Sequence, residues 1–316
     1  MIDIWYGDKQ HFGHLGIPQR WINVLGCVDP ERTASLQYSL DNAALKPLSI
    51  GPDGHRLADP GDFNVELEFE TLTAEHHTLT LIATDRDGKH TQRNVTLVIE
   101  ERKPCPLPYR IHWNRVSSIQ EAAQVVDGQW TLISQGVRVV KPYYDRVIAL
   151  GDLNWTDYEV RTTVTFHGLR VPYAEQGDAG ANVIHAALAV RWPGHDADER
   201  QPHVKWFPLG ATAEFRVNPS WEECSWRILG GGAIVVEASE KCTIDLEQPY
   251  AMKHRVDSIP DGVARYRVKL WEADLPEPKE WAVELLKNPP DVYQGGALLI
   301  AHYTEVTFGD VEVIPV

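Results

Sequence analysis

The sequence predicts an all-β chain folded as two β-sandwiches in tandem, and three observations carry that reading. Apolar residues recur with a period of two, the signature of strands with one face in a core. In Arg265 to Leu286, RYRVKLWEADLPEPKEWAVELL, Tyr266, Val268 and Leu270 fall on one face and Arg267, Lys269 and Trp271 on the other. Pro276 and Pro278 break the run, and Trp281, Val283 and Leu285 resume it. Turn chemistry punctuates such runs, as at Gly51-Pro52-Asp53-Gly54 and at Asp87-Gly88, a strong hairpin signal. Over the first hundred residues helical periodicity is absent except around Thr71 to His76.

In chain order, the first predicted strands are Trp21 to Val28, Ser35 to Leu40, Phe63 to Phe69, Thr78 to Asp85 and Gln92 to Glu100. Six or seven short strands over the first hundred residues suit a sandwich of immunoglobulin type. The segments WINVLGCVDPE, SLQYSLDN, LSIGPDGHRLADPGDFNVEL and LTLIATDRDGKHTQRNVTLVI resemble bacterial Ig-like domains, which usually act as spacers or presenters. The predicted first unit is therefore residues 1–102. Lys103-Pro104-Cys105-Pro106-Leu107-Pro108 is a stiff linker over 103–108.

Residues 109–316 carry longer strands. The predicted set is Trp130 to Ser134, Val137 to Lys141, Arg146 to Leu150, Tyr158 to His167, Ala181 to Trp192, His203 to Phe207 and Ala211 to Val217. Ser225 to Leu229, Ala233 to Glu237, Tyr250 to Ser258, the hairpin described above, Ala297 to Tyr303 and Glu305 to Ile314 complete it. A dozen or so antiparallel strands suit a jelly roll, with an early strand beside the last. LGDLNWTDYEVRTTVTF, ALAVRWPGH, YAMKHRVDSIPDGVARYRVKLWEADLPEPKEW and GALLIAHYTEVTFGDVEV resemble the concanavalin A-like lectin/glucanase superfamily, LamG-like branch. That resemblance implies a jelly-roll sandwich and a glycan or polysaccharide as partner. The superfamily includes lectins, binding modules, hydrolases and lyases, so activity has to be read from the site.

The 316 residues carry a formal charge of −15 with acids and bases interspersed, a field that repels duplex nucleic acid and anionic membranes. No apolar run reaches the roughly 20 residues of a membrane span, so no membrane insertion is expected. The start MIDIWYGDKQ shows no signal-peptide pattern, and an extracellular or cell-surface place is favoured if the chain is a piece of a longer one. Cys27, Cys105, Cys224 and Cys242 fit no metal-binding spacing; Cys224 and Cys242 could close a loop or be small buried thiols.

Candidate ligand-binding residues follow from strand faces. Val183, His185, Ala187, Ala189 and Arg191 share one face, and Ile184, Leu188, Val190 and Trp192 the other. Glu159 lies on the polar face of its strand, Glu214 and Arg216 flank Phe215, and Arg267, Lys269 and Trp271 form a cationic, aromatic row. On one concave sheet these would make a groove for an acidic or heavily hydroxylated glycan through charge-assisted hydrogen bonds. The competing expectation pairs Arg267 and Lys269 with Glu280 and Glu284 across the sheet.

A glycan-active enzyme is the alternative. The alternating E-x-D-x-x-E carboxylates of the glucanase branch are absent, Cys242-Thr-Ile-Asp245-Leu-Glu247 coming nearest. A lyase would draw on His185, His167, Tyr303 and Arg191. For metals, the loop from Gly194 to His203 could hold Ca²⁺ through Asp196, Asp198 and Glu199. The resemblance adds a structural Ca²⁺ near the chain ends, matched to Asp310.

Overall fold

The computed structural model describes residues 2–170, 183–204, 206–208, 210–230 and 233–316, with no α-helix among them. Before the proline-rich connection lie β1 (Ile2–Ile4), β2 (Lys9–Phe12), β3 (Trp21–Val28), β4 (Thr33–Leu40), β5 (Lys46–Leu48), β6 (Asp62–Glu68), β7 (His76–Asp85) and β8 (His90–Ile99). After it come β9 (Tyr109–Ile111), β10 (Gln124–Asp127), β11 (Trp130–Ile133), β12 (Gly136–Val139), β13 (Arg146–Leu150), β14 (Tyr158–Leu169), β15 (Ile184–Trp192) and β16 (Ala211–Val217). β17 (Ser225–Gly230), β18 (Ala233–Glu237), β19 (Pro249–Ile259), β20 (Val263–Glu272), β21 (Val283–Lys287), β22 (Gly296–His302) and β23 (Thr304–Pro315) complete the chain.

Two expectations are corrected. The expected strand from His203 to Phe207 is a loop flanked by Pro202 and Pro208, neither of which can donate to a ladder; Lys205 within it lies outside the described residues. The helical stretch around Thr71 is a single 3₁₀ turn, Phe69–Thr71, and His76 already begins β7. Ala181, at the expected start of β15, also lies outside the described residues.

The N-terminal sandwich packs a three-stranded sheet, β1-β3-β6, on a five-stranded one, β2-β8-β7-β4-β5. The C-terminal sandwich packs a seven-stranded sheet, β10-β13-β22-β15-β16-β17-β18, on an eight-stranded sheet running β11-β12-β23-β14-β19-β20-β21 with β9 beside β23. β9 against β23 is the early-beside-last pairing anticipated from the sequence. Cys224 and Cys242 face each other through two backbone hydrogen bonds of 2.8 and 2.9 Å, with both thiols free.

The three-stranded sheet is covered on both faces. Ile22, Val24 and Val28 of β3 and Phe63, Val65 and Leu67 of β6 enter the N-terminal core. Trp21, Asn23 and Leu25, with Asn64 and Glu66, point the other way, toward the C-terminal sandwich, and Leu25 joins its core. Water is excluded there, so the polar members satisfy one another. Asn23 Nδ2 donates to Asn64 Oδ1 at 3.1 Å and Glu66 Oε1 at 3.0 Å, and Asn64 Nδ2 donates to the Val126 carbonyl at 3.0 Å.

Arg56 anchors this interface. Its fully buried guanidinium lies 2.8 Å from Glu66 Oε1 and 2.7 Å from Asp127 Oδ2, and it donates to the His203 carbonyl at 2.8 Å. Arg146 stands 3.4 Å from the other oxygen of Asp127 and donates to the Arg56 carbonyl at 2.6 Å. Burial alone would raise the Glu66 carboxyl, but Arg56 and His195 hold it far below the usual carboxylate range. Burial pushes Asp127 up to about 6 against the pull of both guanidiniums.

In the C-terminal sandwich Ile184, Ala186, Leu188 and Val190 of β15 fill the space between the sheets. His254 of β19 is enclosed among them, its Nδ1 2.9 Å from the Leu188 carbonyl. A bulge between Ala189 and Trp192 then breaks the alternation, with Arg191 at φ 55°. Trp192 consequently turns to the outer face, where it packs with Ala187, Ala189, Trp206, Leu298 and Ile300. Its expected place beside Val190 is thereby corrected.

Replacing Arg56 by methionine strands two buried carboxylates, and a loss of about 3–5 kcal/mol in urea unfolding is expected. Replacing Arg93, whose pair with Asp8 is about half exposed, should cost under ~1 kcal/mol. Equal losses in the two variants would contradict the anchoring role of Arg56.

Candidate functional site

The expected groove on one concave sheet is divided by the topology. His185, Glu214 and Arg216 stand on β15 and β16 in the seven-stranded sheet, whereas Arg267, Lys269 and Trp271 stand on β20 in the eight-stranded sheet, on the opposite outer face of the sandwich. Arg191 belongs to neither row. The bulge turns its buried side chain toward the other sheet, where it donates to the Thr156 carbonyl, Asp157 Oδ1 and Ser258 Oγ, each at 2.8 Å.

On the eight-stranded face the cations are matched by acids other than those expected. Lys269 Nζ lies 2.7 Å from Glu277, donates to the Pro278 carbonyl at 2.7 Å, and sits 4.5 Å above the Trp281 ring. Arg267 pairs with Asp257 at 3.0 Å, and Lys253 bridges Glu159 and Glu277 at 2.8 Å each. The acid- and proline-rich turn after β20 folds back and brings Glu277 over the strand. Glu280 and Glu284 could not be chosen over Asp257 and Glu277 from spacing alone, because the selection depends on that fold-back.

On the seven-stranded face, His185, Glu214 and Arg216 come together and acquire partners. Antiparallel register sets His185 opposite His302 on one side and Arg216 on the other, and Glu214 opposite Arg227. The His185 and His302 rings stack 4.7 Å apart at an interplanar angle of 1°. His302 Nδ1 lies 2.7 Å from Asp145 Oδ1 at the mouth of β13, and Tyr144 packs its edge against the His302 ring. His185 Nδ1 is 3.1 Å from the Val183 carbonyl and 3.7 Å from Glu214 Oε2, while Glu214 forms an ion pair with Arg227. Arg216 reaches Glu237 at 3.2 Å and Ser225 Oγ at 3.1 Å, at the exposed end of the row.

Asp145, Arg227 and His302 were missed in the sequence. The alternation Leu298, Ile300, His302 carried a signal for the last, since it continues the outward face of β22. Burial pushes the His185 imidazole down to about 4, outweighing Glu214. Burial would raise Asp145, but His302 holds its carboxyl below the usual carboxylate range. The row thus presents an ionised carboxylate, a neutral imidazole able to donate and accept, and a carboxylate–guanidinium pair.

Two of the residues singled out for Ca²⁺, Asp310 and Asp198, make local hydrogen bonds. Asp310 Oδ2 lies 2.7 Å from His112 Nδ1, and its Oδ1 accepts from the Trp113 N–H at 3.1 Å. Asp198 accepts from the Arg200 N–H at 2.8 Å and the Val204 N–H at 2.9 Å, and Asp196 is exposed. Among the described residues, converging donors occur instead in Glu66, His195 and His203, and in Asp145, His185 and His302, each set within 4.8 Å. Imidazole-rich sets suit transition metals better than Ca²⁺.

No protein-family model matches the chain. No curated protein matches it. Among solved structures it is similar to a carbohydrate-binding module from Bacillus subtilis at 14% identity, covering 61% of this chain and 95% of that one, with a TM-score of 0.40. It is also similar to an alginate lyase at 9% identity, covering 67% and 98% with a TM-score of 0.40. A Caenorhabditis elegans galectin follows at 9% identity, 50% and 83% coverage and a TM-score of 0.28.

The buried imidazoles give the fold a pH signature. His185 and His254 both have folded-state values near 4, below the ordinary 6.5, so their contribution to stability is whole above pH 6.5 and lost as pH falls toward 4. The expected loss is on the order of 3 kcal/mol per histidine at full protonation. Urea midpoints should therefore drop across this window, with a shallower slope in His254→Leu. A flat profile would refute it.

Proposed function

We propose that the chain is a glycan-binding protein in which a LamG-like jelly roll holds sugar at the polar end of the outer face of its seven-stranded sheet, with an Ig-like sandwich packed beside it. One observation supports this reading above others: Asp145, His302, His185, Glu214, Arg227 and Arg216 form a continuous row across neighbouring strands. Vicinal hydroxyls are recognised by carboxylates that accept two hydrogen bonds and by guanidiniums that donate two, and a uronate suits the guanidinium as well. Strands hold such groups in fixed register, which lowers the ordering cost of binding. The apolar half of the same face is filled by Trp192 and Trp206; at the polar end His185, Glu214 and His302 are buried, and Asp145 and Arg216 are the more exposed members through which a sugar would make first contact.

A second reading, a glycan-active enzyme, draws on the Asp145–His302 pair at 2.7 Å beside the low-pKa imidazole of His185. A carboxylate-oriented histidine is an arrangement suited to moving a proton at a sugar carbon or a leaving oxygen. Both readings use the same residues, and product analysis separates them.

The full chain is assayed by glycan array and affinity electrophoresis against neutral and acidic polysaccharides. Asp145→Asn and Arg216→Ala are expected to weaken retention at least about tenfold, roughly 1.4 kcal/mol. No retention by any polysaccharide, or unchanged retention by both variants, would sink the proposal. New reducing ends or unsaturated uronates that vanish in His302→Gln would move the assignment from binding to catalysis.

A further inference from the structure

We propose a transition-metal site between the two sandwiches, formed by Glu66 of β6 with His195 and His203 of the loop joining β15 to β16. Each offers a donor atom, the three atoms lie within 4.8 Å of one another, and all three side chains are buried. One carboxylate and two imidazoles are the donors that Zn²⁺, Co²⁺ and Ni²⁺ favour over Ca²⁺ or Mg²⁺.

The loop is held in place around these donors. Trp21 Nε1 donates to the His195 carbonyl at 2.9 Å, Arg56 to the His203 carbonyl at 2.8 Å, and the Arg20 N–H to the Pro193 carbonyl at 3.0 Å. Gln201 clasps the Glu66 backbone in both directions, at 2.9 and 3.0 Å. Glu66 Oε2 lies 3.2 Å from His195 Nε2 and accepts from the His203 N–H at 2.8 Å.

Three ring nitrogens in this network lack a partner, the Trp206 Nε1 among them. His195 Nδ1 and His203 Nε2 are buried with no hydrogen-bond partner. Buried polar atoms of this kind are uncommon; an ion beside Glu66 would be met by His195 through Nε2, the nitrogen that faces that carboxylate, and would account for the unpartnered Nε2 of His203. His203 also carries the outer contact typical of a metal-bound histidine. Its Nδ1 accepts from the Asp198 N–H at 3.0 Å and lies 3.3 Å from Asp198 Oδ1; ligation through Nε2 would move the ring proton to Nδ1, where that carboxylate can accept it.

Ring geometry selects this set over Asp145, His185 and His302. A metal ion lies close to the plane of every imidazole that ligates it. The His185 and His302 planes are parallel at 1° and stacked, so no point lies in both. The His195 and His203 planes meet at 63° with centroids 5.5 Å apart, so the two planes have a line in common on which a shared ion would have to lie. Arg56 is the cation that opposes an added charge, and Asp127, 2.7 Å away, offsets it. A cleft of about 360 Å³ lined by Trp21, Tyr38, Lys46 and Gln201 borders Glu66 and His203, whose side chains lie beneath its floor.

The purified full chain, stripped with EDTA and dialysed, is titrated with Zn²⁺ by calorimetry and with Co²⁺ by visible absorption. One equivalent of tight binding, a four-coordinate Co²⁺ spectrum and a metal-dependent rise in melting temperature are expected. His203→Gln should abolish all three, Asp198→Asn should weaken binding about 10- to 100-fold, and His302→Gln should leave it unchanged. Absence of stoichiometric binding in the wild-type chain overturns the proposal, as does loss of binding in His302→Gln but not in His203→Gln. Should His203→Gln fail to fold, unchanged affinity in Asp198→Asn overturns it.

Discussion

The guanidinium of Arg56 is the constraint on which the arrangement of the two sandwiches rests. It is enclosed by protein, and it is shared between a carboxylate of the N-terminal sandwich, Glu66, and one of the C-terminal sandwich, Asp127. A buried ion pair gains little over an apolar replacement, but it is unforgiving of misalignment, because each charge separated from its partner stays desolvated. The network therefore specifies how the sandwiches meet more than it adds to their stability. The proline-rich connection takes part as well: Cys105 is buried, and its carbonyl accepts from Trp155 Nε1 at 2.6 Å.

Most strands were legible because they obey the period of two locally. Trp21–Val28, Arg146–Leu150 and Ala211–Val217 occur with the bounds their alternation suggests. What could not be read was where the second face goes. Asn64 and Glu66 alternate with Phe63 and Val65 as solvent-facing residues do, yet they face another sheet. Nothing local distinguishes water from a second protein surface. The bulge at Arg191 was equally silent, and it moved both Arg191 and Trp192 from their expected sides.

The site was legible in part for the same reason. His185, Glu214 and Arg216 lie on neighbouring strands, and their shared face follows from register. Asp145, Arg227 and His302 join them through pairings set by strand order, with His185 and His302 separated by more than a hundred residues in sequence. The eight-stranded face shows the converse. Its cations were visible as a row, but Glu277 arrives from a turn and Asp257 from the preceding strand, β19, closing a surface that the alternation alone would leave open. An outward charge is a statement about one strand, whereas its availability depends on the neighbours.

The double duty of β6 limits how that segment can change length. Its odd-numbered side chains, Phe63, Val65 and Leu67, feed one hydrophobic interior, while its even-numbered ones, Asn64 and Glu66, address another body of protein. Inserting or deleting a single amino acid would exchange the two sets wholesale, driving carboxylate into oil and aliphatic carbon against arginine. Indels here are tolerable only in pairs, so the strand behaves as a fixed-length gauge between the halves of the molecule.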